Sequence, residues 1–281
     1  MNDMRKPLVI ANWKMFKTQD EAGEFVRAFL QQAAGLDEVD TVICPPFTCL
    51  TEVGRALREA GARVALGAQD CFWKDEDAYT AQISPRMLSD PAIGCKYAII
   101  GHSEKRGRLG PRKQVPPPEL LGSLADNDQT VNAKTRAALE HALTAVVCIG
   151  ETADERQACK TRQVVDDQAR KALRGITAEQ MKSVVIAYEP VWAIGASEPC
   201  KPDEAVEVIR DIRGTVSDLF AIDTAENTRI LYGGTVKPDN IAGFMEFEQI
   251  DGALVGGASL DSEGFAAIVA TSREVSSRSR K

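Results

Sequence analysis

Short runs of apolar, mostly β-branched residues recur along the whole chain, and amphipathic stretches separate them. These runs are the predicted strands, eight in number: residues 8–12, 41–45, 63–69, 97–101, 145–150, 183–189, 229–234 and 250–257. Between the runs, apolar residues lie three and four positions apart, as in DEAGEFVRAFLQQA (20–33), which is typical of amphipathic helices. Continuous apolar strands that alternate with helices predict a parallel sheet with helices on both faces.

The number of strand–helix units decides between two arrangements of such a sheet. Eight units within about 270 residues fit one ring, because right-handed crossovers between neighbouring parallel strands can close into a barrel. The alternative is an open, doubly wound sheet. However, no predicted strand is followed by GxGxxG, and glycine doublets (233–234 and 256–257) close the last two strands. We therefore predict an α/β fold, a single-domain (β/α)8 barrel, over residues 1–271.

Two segments interrupt the alternation of strands and helices. Residues 107–128 (GRLGPRKQVPPPELLGSLADND) contain a triple proline and are long for a loop between a strand and a helix. We interpret them as an insertion in that loop. The C-terminal residues 272–281 (SREVSSRSRK) are basic, rich in serine and poor in apolar residues, which predicts a disordered tail.

Composition and charge argue against several classes of protein. The chain is 44% hydrophobic and 27% charged, as is usual for a globular protein, and its net charge of −7 argues against a nucleic-acid partner. No apolar run reaches the roughly 18 residues of a membrane span, and the N-terminus lacks the apolar core of a signal peptide, so we predict a cytoplasmic protein without a membrane partner. The seven cysteines form no CxxC pair and no Cys/His cluster, which predicts reduced thiols and no metal site.

Polar and charged residues follow the C-terminal ends of the predicted strands, where a barrel carries its chemistry. They are Asn12, Lys14, Gln69, His102, Glu104, Glu151 and Glu189. A lysine, an imidazole and carboxylates on one rim are the groups that proton-transfer chemistry uses. His141, the second of two histidines, lies at helical spacing within AALEHAL and is interpreted as a helix-surface residue.

Six motifs, in this order, resemble those of the triosephosphate isomerase family. They are ANWKMFK (11–17), IIGHSEKR (99–106), CIGE (148–151), AYEPVWAIG (187–195), ILYGG (230–234) and DGALVGGASL (251–260). The resemblance extends over nearly the whole chain. It implies an isomerase of glycolysis and gluconeogenesis that interconverts dihydroxyacetone phosphate and D-glyceraldehyde 3-phosphate. It also implies a homodimer that needs no cofactor.

The resemblance assigns a role to each residue that matches a family motif. Glu189 would take the proton from the carbon next to the substrate carbonyl, and His102 would polarise the oxygens of the resulting enediolate. Lys14 would offset the negative charge, Asn12 would donate a hydrogen bond, and Glu104 would support Lys14. The substrate phosphate would bind near Asn12 and Lys14, on the backbone amides of Gly195, Thr235, Gly256 and Gly257.

The segment VWAIGASEPC (191–200) corresponds to the family's lid, with Pro190 and Trp192 at its N-terminal hinge. The lid would exclude water from the enediolate. Where the family usually has Gly-Thr-Gly-Lys, residues 195–198 read Gly-Ala-Ser-Glu, and Pro199 stiffens the C-terminal hinge. These changes leave open an isomerase of a four-carbon ketose phosphate, of the erythrulose phosphate type. A non-catalytic barrel used for binding is a further alternative.

A second departure concerns the predicted dimer. The loop FWKDEDAYTAQI (72–83) keeps the family's length and would reach towards a partner's active site. The usual Thr-Gly-Glu of this loop reads Thr-Ala-Gln at residues 80–82, and Lys105 replaces the arginine that pairs with it across the dimer. Because both members of the ion pair differ, we predict that this contact has been rebuilt.

Overall fold

The computed structural model describes residues 5–33, 35, 37–111, 117, 126–196 and 199–279. Eight parallel strands form a closed barrel in sequence order, and the first strand pairs with the last. The strands are β1 (Leu8–Asn12), β2 (Asp40–Cys44), β3 (Ala65–Ala68), β4 (Tyr97–Ile100), β5 (Thr144–Ile149), β6 (Val184–Tyr188), β7 (Arg229–Tyr232) and β8 (Gly252–Val255). The predicted (β/α)8 barrel is confirmed, and each predicted strand overlaps an observed one.

Helices occupy the connections between the strands. They are α1 (Gln19–Gln32), α2 (Leu50–Glu59), α3 (Pro85–Ser89), α4 (Asp128–Glu140), α5 (Ala153–Gln157), α6 (Thr161–Ala172), α7 (Pro202–Leu219), α8 (Ile222–Asn227), α9 (Ile241–Met245) and α10 (Ser262–Ser279). Helix α7 shows why such segments are helical: proline opens its first turn, Asp203 and Glu204 face the positive end of the helix dipole, and its apolar face is buried. Among the described helices, none combines the length and apolar composition of a bilayer span.

The alternation of side chains along the strands creates two hydrophobic layers. Leu8 and Ile10 belong to the cluster that fills the barrel, whereas Val9 and Ala11 pack in the larger cluster that includes the buried faces of the helices. The next residue, Asn12, lines a cavity at the mouth of the barrel. The same alternation that builds the core therefore directs a polar side chain to the rim.

A buried ion cluster ties the N-terminal segment to the later strands. The Asp251 carboxylate lies 2.5 Å from Arg5 Nε and 3.0 Å from Arg213 Nη2, and it also accepts a hydrogen bond of 2.7 Å from the Ile230 N–H. Burial raises the pKa of Asp251 above its ordinary value, and the two arginines offset only part of this effect. Each oxygen of this buried carboxylate therefore has a positively charged partner.

The C-terminal end differs from the predicted disordered tail, because α10 continues to Ser279. Ser272 is fully buried and donates a hydrogen bond of 2.8 Å to Ile268 O, and Val275, seven residues after Ile268, is buried as well. Arg273 donates to Gly35 O at 3.0 Å. The composition suggested disorder, but a single buried valine at helical spacing continues the apolar face of the helix.

Parts of the other predicted segments lie outside the described residues. Of the predicted insertion, residues 112–116 and 118–125 are in this group. Residues 197–198 of the predicted lid and residues 280–281 of the predicted tail also lie outside the described residues.

Candidate active site

A cavity of about 480 Å³ lies at the C-terminal mouth of the barrel. All the residues predicted to act in catalysis or phosphate binding line it: Asn12, Lys14, His102, Glu189, Gly195, Thr235, Gly256 and Gly257. A second cavity, of about 450 Å³ and lined in part by α4 and α6, contains ion-paired arginines and carboxylates but no imidazole among its described residues. The first cavity is therefore the candidate active site.

Glu189 follows β6 directly and is almost completely buried. Its Oε2 accepts a hydrogen bond of 2.8 Å from the Ser103 N–H. Its Oε1 lies 2.9 Å from His102 Nε2, although within the described residues this contact lacks hydrogen-bond geometry. Burial raises the pKa of Glu189, but the nearby His102 and Lys14 and the Ser103 N–H outweigh burial, so the pKa lies below its ordinary value. The side chain is therefore a carboxylate that can act as a base.

His102 is held by the backbone of its own loop. The Glu104 N–H lies 3.2 Å from His102 Nδ1 and donates a hydrogen bond to it. A ring nitrogen that accepts a hydrogen bond carries no proton, so this network assigns the proton of a neutral imidazole to Nε2. Nε2 is the nitrogen that approaches Glu189. In its neutral form the ring can thus donate a hydrogen bond from Nε2 to a substrate oxygen in the cavity.

Lys14 adopts a left-handed backbone conformation, with φ of 52°. Two side chains brace it: the Lys14 N–H donates to Asn12 Oδ1 at 3.0 Å, and Gln69 Nε2 donates to Lys14 O at 2.8 Å. The ammonium lies 3.2 Å from Glu104 Oε1. Burial lowers the pKa of Lys14 below its ordinary value, and the Glu189 carboxylate offsets part of that effect. The turn thus directs a cation into the cavity.

Two glycines at the rim leave space for the polar side chains. A Cβ atom at Gly233 would lie 2.9 Å from Glu189 Cγ, and one at Gly256 would lie 3.2 Å from Lys14 Cε. Contacts this short require the neighbouring atoms to move. The glycine doublets therefore do more than expose backbone amides, because they also make room for the side chains of Glu189 and Lys14.

The N-terminal part of the predicted lid is anchored at both sides. Trp192 Nε1 donates to Glu151 Oε1 at 2.8 Å, and burial raises the pKa of this carboxyl. On the other side, the Thr235 hydroxyl donates to Ala193 O at 3.1 Å and accepts from the Gly195 N–H at 3.4 Å. Glu151 and Thr235 therefore connect the lid to β5 and β7.

Comparison with known proteins identifies the family. The family model described as triosephosphate isomerase matches residues 7–272. The triosephosphate isomerase of Symbiobacterium thermophilum is 46% identical over 275 residues, which cover 98% of this chain and 100% of the relative. The triosephosphate isomerase of Caldanaerobacter subterraneus is 46% identical over 95% of this chain and 99% of the relative, and that of Citrifermentans bemidjiense is 45% identical over 95% and 98%. The chain belongs to the triosephosphate isomerase family.

Sequence reasoning assigned no role to several residues of this triosephosphate isomerase site. Gln69 and Glu151 were noted on the rim, but only the structure shows that they brace Lys14 and Trp192. Lys237, which follows the glycine doublet after β7, was missed although it lines the cavity. The one feature of the sequence that could have indicated Lys237 as a site residue is its position two residues after Thr235, a predicted phosphate-binding residue.

The structure also locates His141, Lys105 and the cysteines, which the sequence analysis singled out. His141 follows α4 and lies 2.6 Å from Asp75 Oδ1, away from the residues that line the candidate active site. Lys105 lies 3.3 Å from Asp70 Oδ2 of the same chain. The seven cysteines carry free thiols, and within the described residues no cluster of histidine, cysteine or acidic side chains has the arrangement of a metal site.

Proposed function

We propose that the protein interconverts dihydroxyacetone phosphate and D-glyceraldehyde 3-phosphate, as a triosephosphate isomerase of glycolysis and gluconeogenesis. The proximity of the Glu189 carboxylate and His102 Nε2, 2.9 Å apart in one cavity, carries this proposal. A carboxylate and a neutral imidazole N–H that face the same space can act on adjacent carbon and oxygen atoms of one substrate. An enzyme of this pathway acts in the cytoplasm, and that location is part of the proposal.

The proposed reaction is a proton transfer between two carbons. Glu189 removes a proton from the carbon next to the carbonyl, and the electron pair moves onto the carbonyl oxygen to give an enediolate. His102 Nε2–H donates to that oxygen and, by exchanging protons between the two substrate oxygens, allows the carbonyl to form at the neighbouring position. The protonated Glu189 then returns its proton to the other carbon. Lys14 stabilises the negative charge throughout, and Asn12 Nδ2 supplies a further donor.

The phosphate is proposed to bind at the glycine-rich side of the cavity. Gly195, Thr235, Gly256 and Gly257 line this side, and their backbone N–H groups are suitable donors to an anion. A Cβ atom at Gly257 would meet no atom within 4 Å, so an anion can approach this backbone closely. The Gly195 N–H points at the Thr235 hydroxyl, at 3.4 Å. Movement of the lid would have to turn this amide towards the phosphate.

A coupled assay with three-carbon and four-carbon ketose phosphates tests the proposed substrate. We expect kcat/KM to be at least about tenfold higher for dihydroxyacetone phosphate, since one additional carbon must fit a site that already holds the shorter substrate. The altered lid sequence favours the four-carbon alternative, and a preference for the longer substrate would establish it. Loss of both activities in the purified, folded protein would favour a binding role instead.

We also propose that two copies of the chain form a homodimer. Large apolar side chains are exposed in the turns after β1, β2 and β3: Met15, Phe16, Phe47, Trp73 and Tyr79. Met15 is 93% exposed although it is adjacent to Lys14. Neighbouring exposed apolar groups of this kind mark an interaction surface. A second copy is the proposed partner, and light scattering at micromolar concentration should give twice the mass of the chain.

A further inference from the structure

Lys237 lines the candidate active site beside the proposed phosphate amides, and the proposed mechanism does not use it. The residue is exposed and lies in the turn after β7. Among the described residues of the cavity, Lys14 and Lys237 are the two lysines. Lys237 therefore places a second positive charge at the cavity, on the side of Thr235.

The backbone of this turn is fixed by one side chain. Asn240 Oδ1 accepts a hydrogen bond of 2.8 Å from the Lys237 N–H, and Asn240 Nδ2 donates one of 3.0 Å to Thr235 O. Both ends of the same amide therefore hold residues 235–237 in one arrangement. As a result, the base of the Lys237 side chain has a defined position relative to the Thr235 amide, while the side chain as a whole is exposed.

The charges in and around the cavity explain why a second cation matters. The Lys14 ammonium lies 3.2 Å from the Glu104 carboxylate, and the Glu189 carboxylate is also in the cavity. Two negative charges therefore face the single charge of Lys14, and the chain as a whole has a net charge of −7. An approaching phosphate dianion would meet little attraction from this set alone. Lys237 adds a positive charge where the dianion enters.

We propose that Lys237 is a phosphate-recognition residue that attracts the dianionic phosphate of the substrate to the cavity. The inference rests on the proposed function, because it assumes a phosphorylated substrate. An exposed charge at the rim of a site acts mainly on the rate of association, and salt screens it with a Debye length of about 10 Å at 0.1 M. The residue should therefore affect kcat/KM at low ionic strength and leave kcat unchanged.

The test compares Lys237→Gln with Lys96→Gln. Lys96 is also exposed, but it directly precedes β4 at the opposite end of the barrel, so both variants change the net charge equally. At low ionic strength we expect kcat/KM of Lys237→Gln to fall about three- to tenfold, and the difference from the unmodified enzyme to vanish at high salt. Lys237→Arg should retain most of kcat/KM. Equal losses in the two glutamine variants, or no loss in Lys237→Gln, would overturn the proposal.

Binding of inorganic phosphate separates this inference from the proposed function, since it needs no turnover. In calorimetry at low ionic strength, we expect Lys237→Gln to bind phosphate several-fold more weakly than either the unmodified protein or Lys96→Gln. If phosphate binding depends on Lys237 but no triose phosphate is isomerised, the proposed function fails and the role of Lys237 stands. If isomerisation is found and phosphate binding is the same in all three proteins, the role of Lys237 fails alone.

Discussion

His102 Nε2 lies 2.9 Å from the Glu189 carboxylate, although the two residues follow strands β4 and β6, which β5 separates in the barrel. The Ser103 N–H, from the loop of His102, donates to the other carboxylate oxygen at 2.8 Å. One short loop thus approaches both oxygens of the proposed base and donates a hydrogen bond to one of them. From this geometry we expect catalysis to depend on the position of the Glu189 carboxylate as well as on its presence.

Shortening the base tests that dependence. In Glu189→Asp, the carboxylate retreats by about one methylene group, and a displacement near 1 Å can lower the rate on the order of a hundredfold. We expect kcat to fall by that factor while the affinity for inorganic phosphate stays unchanged, because the proposed phosphate amides are untouched. Steady-state kinetics and calorimetry measure the two quantities. Full turnover in this variant would remove Glu189 from the role of base.

The ionisation of Glu189 can be followed directly. Its folded-state pKa is lowered in spite of burial, with His102 the strongest of the lowering influences. The carboxyl signal of Glu189 in ¹³C NMR should therefore titrate below the ordinary glutamate pKa of about 4.3. Because the folded-state pKa is depressed, this group stabilises the fold above the unfolded-state pKa, and that contribution is lost as the pH falls through the folded-state pKa. In His102→Gln the midpoint should rise; an unchanged midpoint would contradict the assigned cause.

The first residues of the predicted insertion press against the lid. A Cβ atom at Gly110 would lie 2.3 Å from Ile194 O, so Gly110→Ala must displace the lid backbone next to its N-terminal hinge. We expect a loss of stability of about 1–3 kcal/mol and a drop in kcat, as overpacking at a hinge should disturb lid closure. Gly214→Ala in α7 is the control, because its Cβ would meet no atom within 4 Å. That variant should be neutral or stabilised by up to about 1 kcal/mol.

The buried cluster of Arg5, Arg213 and Asp251 should contribute to stability and not to chemistry. Asp251→Ala removes the carboxylate that pairs with Arg213 and leaves Arg5 with Glu226 at 3.7 Å, and breaking a buried pair in this way costs about 3–5 kcal/mol. Glu59→Ala removes an exposed partner of Arg55 and should cost much less, because water screens this pair. Urea unfolding measures both variants. A small loss of stability in Asp251→Ala would contradict this expectation. It would show that Arg5 and Arg213 find other partners or water after a local rearrangement.

The lid sequence can be tested by restoring the usual family residues. The combined variant Ala196→Thr, Ser197→Gly, Glu198→Lys and Pro199→Thr removes a proline that restricts its own φ and the residue before it. We expect kcat on three-carbon substrate to rise, because a less restricted hinge opens more readily. A simultaneous loss of four-carbon activity would establish the longer substrate as the native one. Unchanged activity on both substrates would mean that the lid substitutions are neutral.

Local patterns were sufficient to predict the architecture, and the family motifs indicated most residues of the candidate site. Eight apolar runs separated by amphipathic segments favour a parallel barrel, because residue periodicity indicates which faces are buried. The motifs around Asn12, Lys14, His102 and Glu189 could be located because each lies at the end of one predicted strand. In these cases the signal lies within a few neighbouring residues, and no knowledge of distant contacts is needed.

Only the tertiary structure decided the features that depend on two distant segments meeting. The Ser103 N–H that donates to the Glu189 carboxylate, and the space at Gly233 that admits the Glu189 side chain, follow from how loops from different strands approach one another. The same holds for Lys237, whose sequence position is ordinary but whose turn lies at the cavity. The end of α10 is helical for a related reason, because Val275 is buried in the fold. The composition of a segment is read from that segment alone, whereas the burial of its residues depends on which other parts of the chain pack against it.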